Sequence, residues 1–285
     1  MKIQRSSLAT DSTLYVVPTP IGNLGDMTPR AVEILNMVDI IFAEDTRVTK
    51  NLLSHFNIQN KLKSYHSFNE EVVAKEIITN LNDKLNVAIV SDAGLPAISD
   101  PGFFVVNLAL EAGFSVVSLP GANAALTALV ASGIPSERFY FYGFLKHKKS
   151  QKEKELLSLV DFKDTIIFYE SPHRIKETID IMYKVFKNRK VVIARELTKR
   201  YEEYIRSDLE TLSKEELNLK GEIVIVVSGA DIASDVLKLN ELTIEEHYNY
   251  YINQGMDRKD AMKHVAKDRN ISKSEVYKIL INDPL

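Results

Sequence analysis

The sequence predicts an α/β protein built in two parts, followed by a small helical unit. Three observations predict it. In the first part, short β-rich runs alternate with helical patterns, the signature of a largely parallel sheet. From Arg138 onward, five β-rich runs follow with fewer helices between them, which implies a second, more mixed sheet. Residues 240–285 then carry three helix-start signals in succession.

The elements follow in order. A polar tail, residues 1–12, precedes "LYVVP" (14–18), which reads as a strand. "TPRAVEILNMVD" reads as a helix: Thr28 is its N-cap and Pro29 suits the first helical position. Ala31, Ile34, Leu35 and Val38 share one face of it. "IIFAED" (40–45) is the second strand and "NVAIVSD" (86–92) the third. The loop "SDAGLPAISDPG" leads into a helix expected from Pro101, capped by Ser99 or Asp100 and stopped at Gly113. "FSVVSLP" (114–120) is a fourth strand, and "ANAALTALVASG" a helix of small residues.

The first α/β domain is thus expected over 13–122 and the second, mixed one over 123–230. Its strands are "RFYFYGFL", "DTIIFYE", "KVVIARE", "RYEEYIR" and "GEIVIVVSG". "YESPHR" ends one of these strands and opens a helix, with Ser171 as N-cap and Pro172 first. In 240–285, Thr243 with Glu246 and Ser272 with Glu275 form capping boxes, and Asp257 caps the helix between them. The expected apolar faces are Ala261, Met262 and Val265, then Val276, Ile279 and Leu280. The turn "RNIS" resembles a helix-turn-helix.

Composition narrows the function. The 285 residues contain no cysteine, which excludes disulfides, thiolate metal sites and a Cys nucleophile. The polar N-terminus lacks a signal-peptide core, and a soluble, cytoplasmic protein is expected. Net charge is −3, so nucleic-acid binding must come from local patches. Two exist. "KHKKSQKEK", which includes Lys146, Lys148 and Lys149, carries five Lys against one Glu. Lys184 to Arg200 carries seven Lys or Arg against Glu196 alone. Each also reads as a solvated helix face.

The unusual sequence lies at strand ends, where open α/β sheets bind ligands. "PTPIGNLGD", "EDTR", "SDAGLPAISDPG" and "PGANA" are rich in Gly and Pro, which permit close approach and hold loops rigid. There is no G-x-G-x-x-G and no P-loop. Asp92 and Asp100 suit a ligand with hydroxyl, ammonium or sulfonium groups. No His spacing marks a metal site, and none is expected.

"VVPTPIGNLGDMTPRA", "AEDTR", "SDAGLPAISDPG", "PGANA", "ESPHR" and "ARELTK", in this order, resemble the ribosomal RNA small subunit methyltransferase I family. That family belongs to the tetrapyrrole-methylase superfamily. The resemblance implies a two-domain fold with S-adenosylmethionine in the cleft between the domains, and 2′-O-methylation of a decoding-centre cytidine in 16S rRNA. It also implies a homodimer in the bacterial cytoplasm. By resemblance, Pro20, Ser91, Asp92, Leu95, Asn123 and Ala124 line the cofactor site. Tyr169 or Glu170, Ala194, Arg195, Gly221 and Glu222 would complete it.

Glu170 and His173 are the candidates for the base that takes the hydroxyl proton. Arg47, Arg174, Arg195 and Lys199 are expected to hold RNA phosphates. Two alternatives stand beside this reading. One is a methyltransferase of the same fold acting on a tetrapyrrole or other small molecule; the other is a non-catalytic ribosome-binding factor.

Overall fold

The computed structural model describes residues 4, 12–231, 239–253 and 255–282, the side chains of 281 and 282 excepted. Apart from Gln4 and Ser12, the expected tail lies outside the described residues. Contacts divide the chain into two compact units. One comprises the described residues up to Ser158 together with Asp164–Ser228. The other comprises Leu159–Lys163 and the described residues from Gly229 on.

The first unit holds two five-stranded sheets. Its first half runs β1 (Thr13–Val16), α1 (Pro29–Met37), β2 (Ile40–Ala43), α2 (Thr46–His55), β3 (Lys61–Ser64), α3 (Glu70–Asn82), β4 (Val87–Val90), α4 (Phe103–Glu111), β5 (Ser115–Ser118) and α5 (Ala124–Ser132). The strands are all parallel, in the order β3-β2-β4-β1-β5. Both faces of this sheet are covered, so its central strands are apolar on both sides. On β2, Ile41 and Ala43 join the core beneath α1, with Ala31 and Leu35. Ile40 and Phe42 join the opposite core, with Ile77 and Leu81 of α3. This is the period of two that any strand imposes.

The second half runs β6 (Phe139–Phe144), α6 (Lys149–Leu157), β7 (Thr165–Glu170), α7 (Ile175–Phe186), β8 (Lys190–Arg195), β9 (Glu203–Asp208), α8 (Leu209–Lys214) and β10 (Ile223–Val227). Its order is β6-β7-β10-β8-β9, with β6 parallel to β7 and every other pairing antiparallel. All five strands expected in this half are present.

Three expectations need correction. "NVAIVSD" supplies the fourth strand of its sheet, because Lys61–Ser64 forms a strand the pattern did not reveal. That strand is mostly exposed and carries two lysines, as edge strands do, so it lacks apolar alternation. The helix after the acidic loop begins at Phe103, with Gly102 as its N-cap and no side-chain cap. The Gly102 N–H instead donates to Glu70 Oε1 at 3.1 Å. The helix after "YESPHR" begins at Ile175, since Pro172–Arg174 form a turn in which the Arg174 N–H donates to the Ser171 carbonyl.

The second unit has its own core. Here α9 (Ile244–Asn253), α10 (Arg258–Asp268) and α11 (Lys273–Asn282) pack around Tyr251, Ala261, Val265 and Val276. Both capping boxes form: Thr243 Oγ1 accepts from the Glu246 N–H, and Ser272 Oγ from that of Glu275. Met262 is only partly buried, and Ile279, expected on the apolar face, is exposed.

Candidate cofactor site

The carboxyl ends of β1, β2 and β4 carry the loops that build a cleft of about 450 Å³, within the size range of small-ligand sites. Local chemistry fixes these loops. Thr19 and Gly94 exchange two backbone hydrogen bonds, 2.9 and 3.0 Å, tying the β1 loop to the β4 loop. Gly94 has φ +87°, which a side chain rarely adopts, and its absent Cβ leaves room for Ile21. Gly121 lies so close to Pro18 that a Cβ would sit 2.3 Å from Pro18 Cγ. Ala97 and Ser99 also take left-handed backbone angles, φ +66° and +67°. Such strain costs ~1–3 kcal/mol a residue and gathers where function shapes a loop.

The other wall comes from the second sheet. Tyr169, Glu170, Gly221, Glu222 and Val224 line the cleft from there, with Asn123 and Ala124 at the start of α5. Asn123 caps that helix, its Oδ1 accepting from Leu126 N–H at 3.0 Å. Ile21, from the β1 loop, packs into the core of the second sheet and joins the two halves.

Besides Glu170 and Glu222, three carboxyls from the first sheet's loops line this space: Glu44, Asp92 and Asp100. Burial, then the nearby Glu44 and Asp92, push Asp100 up to about 7. Burial, then Asp92, raise Glu44 as well. Asp92 Oδ1 accepts from the Asp45 N–H at 2.9 Å, which pins the β2 loop to the acidic loop. Burial raises the Tyr169 hydroxyl. Three mutually repelling acids in one cleft are ready to receive a cation.

Of the expected cofactor residues, Asp92, Leu95, Asn123, Ala124, Tyr169, Glu170, Gly221 and Glu222 line the cleft; Pro20, Ser91, Ala194 and Arg195 do not. Ser91 is buried, its Oγ donating to the Gly94 carbonyl at 3.2 Å, so it shapes the loop from behind. Ala194 is buried in the core of the second sheet. The sequence did not point to Glu44, although it stands in a quoted loop; Asp100, read with Asp92 as suiting a hydroxyl, ammonium or sulfonium ligand, does line the cleft.

The expected bases fare differently from each other. Glu170 lines the cleft, but its carboxylate is spent. It accepts from Ser171 N–H at 2.8 Å, from Thr178 Oγ1 at 2.6 Å and from Arg174 Nη2 at 3.0 Å, with Lys152 Nζ 4.0 Å away. These contacts make Glu170 a structural anchor between β7 and α7. His173 is exposed and outside the cleft lining.

The expected phosphate-binding cations are largely engaged with acids. Arg174 also donates to the Leu145 carbonyl at 2.8 Å and contacts His147. Arg195 pairs with Glu203, and Lys199 lies 2.9 Å from both Glu196 and Glu222. Arg47 pairs with Asp45 yet keeps its side chain 90% exposed. Lys146, Lys148 and Lys149 are exposed, whereas Lys152, in the same run, is fully buried against Glu177 and Thr178. That run is therefore not a plain solvated face. Among the described residues, no cluster of His, Asp and Glu is arranged to hold a metal ion. No helix among them is long and apolar enough to cross a membrane.

Residues 13–213 match the tetrapyrrole (corrin/porphyrin) methylases. A crystal structure of diphthine synthase superposes with a TM-score of 0.59 at 14% identity, covering 76% of this chain and 90% of its own. Uroporphyrin-III-C-methyltransferase from Thermus thermophilus does so at 0.54 and 17%, covering 76% and 94%. The class is thus a tetrapyrrole-methylase fold. A protein of Halalkalibacterium halodurans named ribosomal RNA small subunit methyltransferase I is 47% identical, over 98% of this chain and 99% of its own. One of the same name from Bacillus subtilis is 48% identical, over 93% and 92%. The chain belongs to the tetrapyrrole methylase family and, within it, to the ribosomal RNA small subunit methyltransferase I family.

The family's cofactor, S-adenosylmethionine, fits the residues present. Glu44, Asp92 and Asp100 match its ammonium, sulfonium and ribose hydroxyls, and Ile21, Leu95, Ile98 and Val224 offer apolar surface to its adenine. The side chain missing at Gly94 lets backbone approach such a ligand closely.

Proposed function

We propose that this chain methylates small-subunit ribosomal RNA, and that its target is the ribose 2′-oxygen of a decoding-centre cytidine in 16S rRNA. The observation that carries this reading is the near-full-length identity to proteins of that name, joined to an acid-lined cleft suited to a cationic methyl donor. The fold alone does not choose the substrate, since its structural neighbours carry names of unlike enzymes.

S-adenosylmethionine, when bound, supplies an already activated methyl group, so the transfer needs no metal. The chain's part is to hold donor and ribose in line, a contribution worth ~7–11 kcal/mol when orientation is right. Glu170 acts as a clamp on the Ser171–Pro172 stretch that lines the cleft, held by Arg174 and Thr178. Asp100, a cleft carboxyl that burial and the nearby Glu44 and Asp92 raise to about 7, is the candidate for the proton-accepting role. A homodimer acting in the cytoplasm on the small ribosomal subunit completes the reading.

Mapping 2′-O-methyl groups in ribosomal RNA from a strain lacking this protein tests it. One mark in 16S rRNA should disappear and return with the wild-type gene. An unchanged methylation map overturns the proposal.

A further inference from the structure

A second cavity, of about 550 Å³, opens beside α2 and is unlike the first in charge. No carboxylate lines it. One wall is a single face of α2, on which Arg47, Lys50 and Ser54 follow at helical spacing. Facing them are Gln59 and Asn60, with Leu53 and Ile58 as apolar floor.

These groups are not equally available. Asn60 is consumed by the fold, its Nδ2 donating to the Leu35 and Val38 carbonyls at 2.9 and 2.6 Å. Lys50 and Gln59 are exposed, and Lys50 makes no ion pair among the described residues. Arg47 spends Nε and Nη2 on Asp45, at 3.1 and 2.6 Å, which fixes the guanidinium and leaves its Nη1 hydrogens to face outward.

The groove adjoins the cofactor cleft. Glu44 lines the cleft, Thr46 and Arg47 line the groove, and Asp45 between them is bonded to Asp92. A polynucleotide that presents one nucleotide to the cleft brings flanking phosphates with it. Glu44, Asp92 and Asp100 repel those phosphates. The α2 groove beside that cleft carries Lys50 and Arg47, with no carboxylate among its described lining residues and Asp45 held by Arg47.

Resting on the methyltransferase reading above, we propose that the α2 groove holds the RNA backbone next to the target nucleotide, with Lys50 and Arg47 as phosphate contacts and Gln59 as a hydrogen-bonding neighbour. Its ligand class is a single-stranded phosphodiester chain.

The test compares wild type, Lys50→Ala and Arg47→Gln/Lys50→Ala, using small ribosomal subunits purified from a strain lacking the protein. Lys50 is exposed and bonds nothing that folds the chain, so Lys50→Ala keeps the structure. Each lost phosphate contact should flatten the plot of log affinity against log salt by about 0.7, so the double variant should lose about 1.4. KM for RNA should rise at least about tenfold in the double variant, while S-adenosylmethionine affinity stays within twofold. Wild-type slope and KM in both variants, with an active wild type, overturn the groove and leave the parent reading standing. A wild type that neither binds nor methylates those subunits overturns both.

Discussion

Replacing Asp100 by Asn should make the free protein more stable and bind its cofactor worse. Asp100 is held among Glu44 and Asp92 in a partly buried position, and its carboxyl is raised from 3.8 to about 7. The folded state therefore binds more protons than the unfolded state between those values. Stability from this group is fully present below pH ~4 and is lost as pH rises through ~7. At ~1.36 kcal/mol for each pH unit between the ordinary and the raised value, the ceiling is about 4 kcal/mol. Water reaches the carboxyl, and screening reduces the expected gain to about 1–2 kcal/mol. Asn keeps the shape and cannot ionise. Urea unfolding at pH 8 should therefore show the variant about 1–2 kcal/mol more stable than wild type, and the gap should close by pH 4. Calorimetry should show weaker S-adenosylmethionine binding at pH 8, by about tenfold or more, from the loss of one charge-assisted contact. Equal stability of the two proteins at pH 8 would refute the claim that Asp100 is ionised there at a cost to the fold.

Gly94→Val should weaken cofactor binding with the fold retained, because a β-branched side chain resists φ +87° and its Cβ would press on Ile21; unchanged calorimetric affinity sinks this. Neutralising Lys146, Lys148 and Lys149 together should lower RNA affinity and flatten the salt slope by up to about 2, with cofactor affinity unmoved. A wild-type slope there would make the exposed lysines mere surface. Lys152→Met should cost about 3 kcal/mol in urea unfolding, since it removes one partner from a buried network. Arg174 still pairs with Glu170, which keeps the figure at the low end of such losses. An unmoved unfolding midpoint would show that the Lys152 ammonium contributes nothing.

The residues with local causes were legible in the chain. Thr28 and Asp257 cap helices where their side chains reach a backbone N–H two or three residues on, a matter of short-range chemistry alone. The five strands of the second half announced themselves through β-branched and aromatic runs, and the loops of the cleft through their Gly and Pro. Lys61–Ser64 did not, because its pairing with β2 at the sheet edge needs no apolar pattern of its own. Only the fold decided that Glu44 meets Asp92 and Asp100 in one cleft, since it comes from the loop after β2 while they share the loop after β4, and their mutual repulsion exists only at close range. Only the fold buried Lys152 inside a run that reads as solvated, and only the fold surrounded Glu170 with the Thr178 and Arg174 donors. Caps and strands depend on neighbours a few residues away; the charge state of a carboxyl depends on whichever groups the tertiary structure brings within a few ångströms of it.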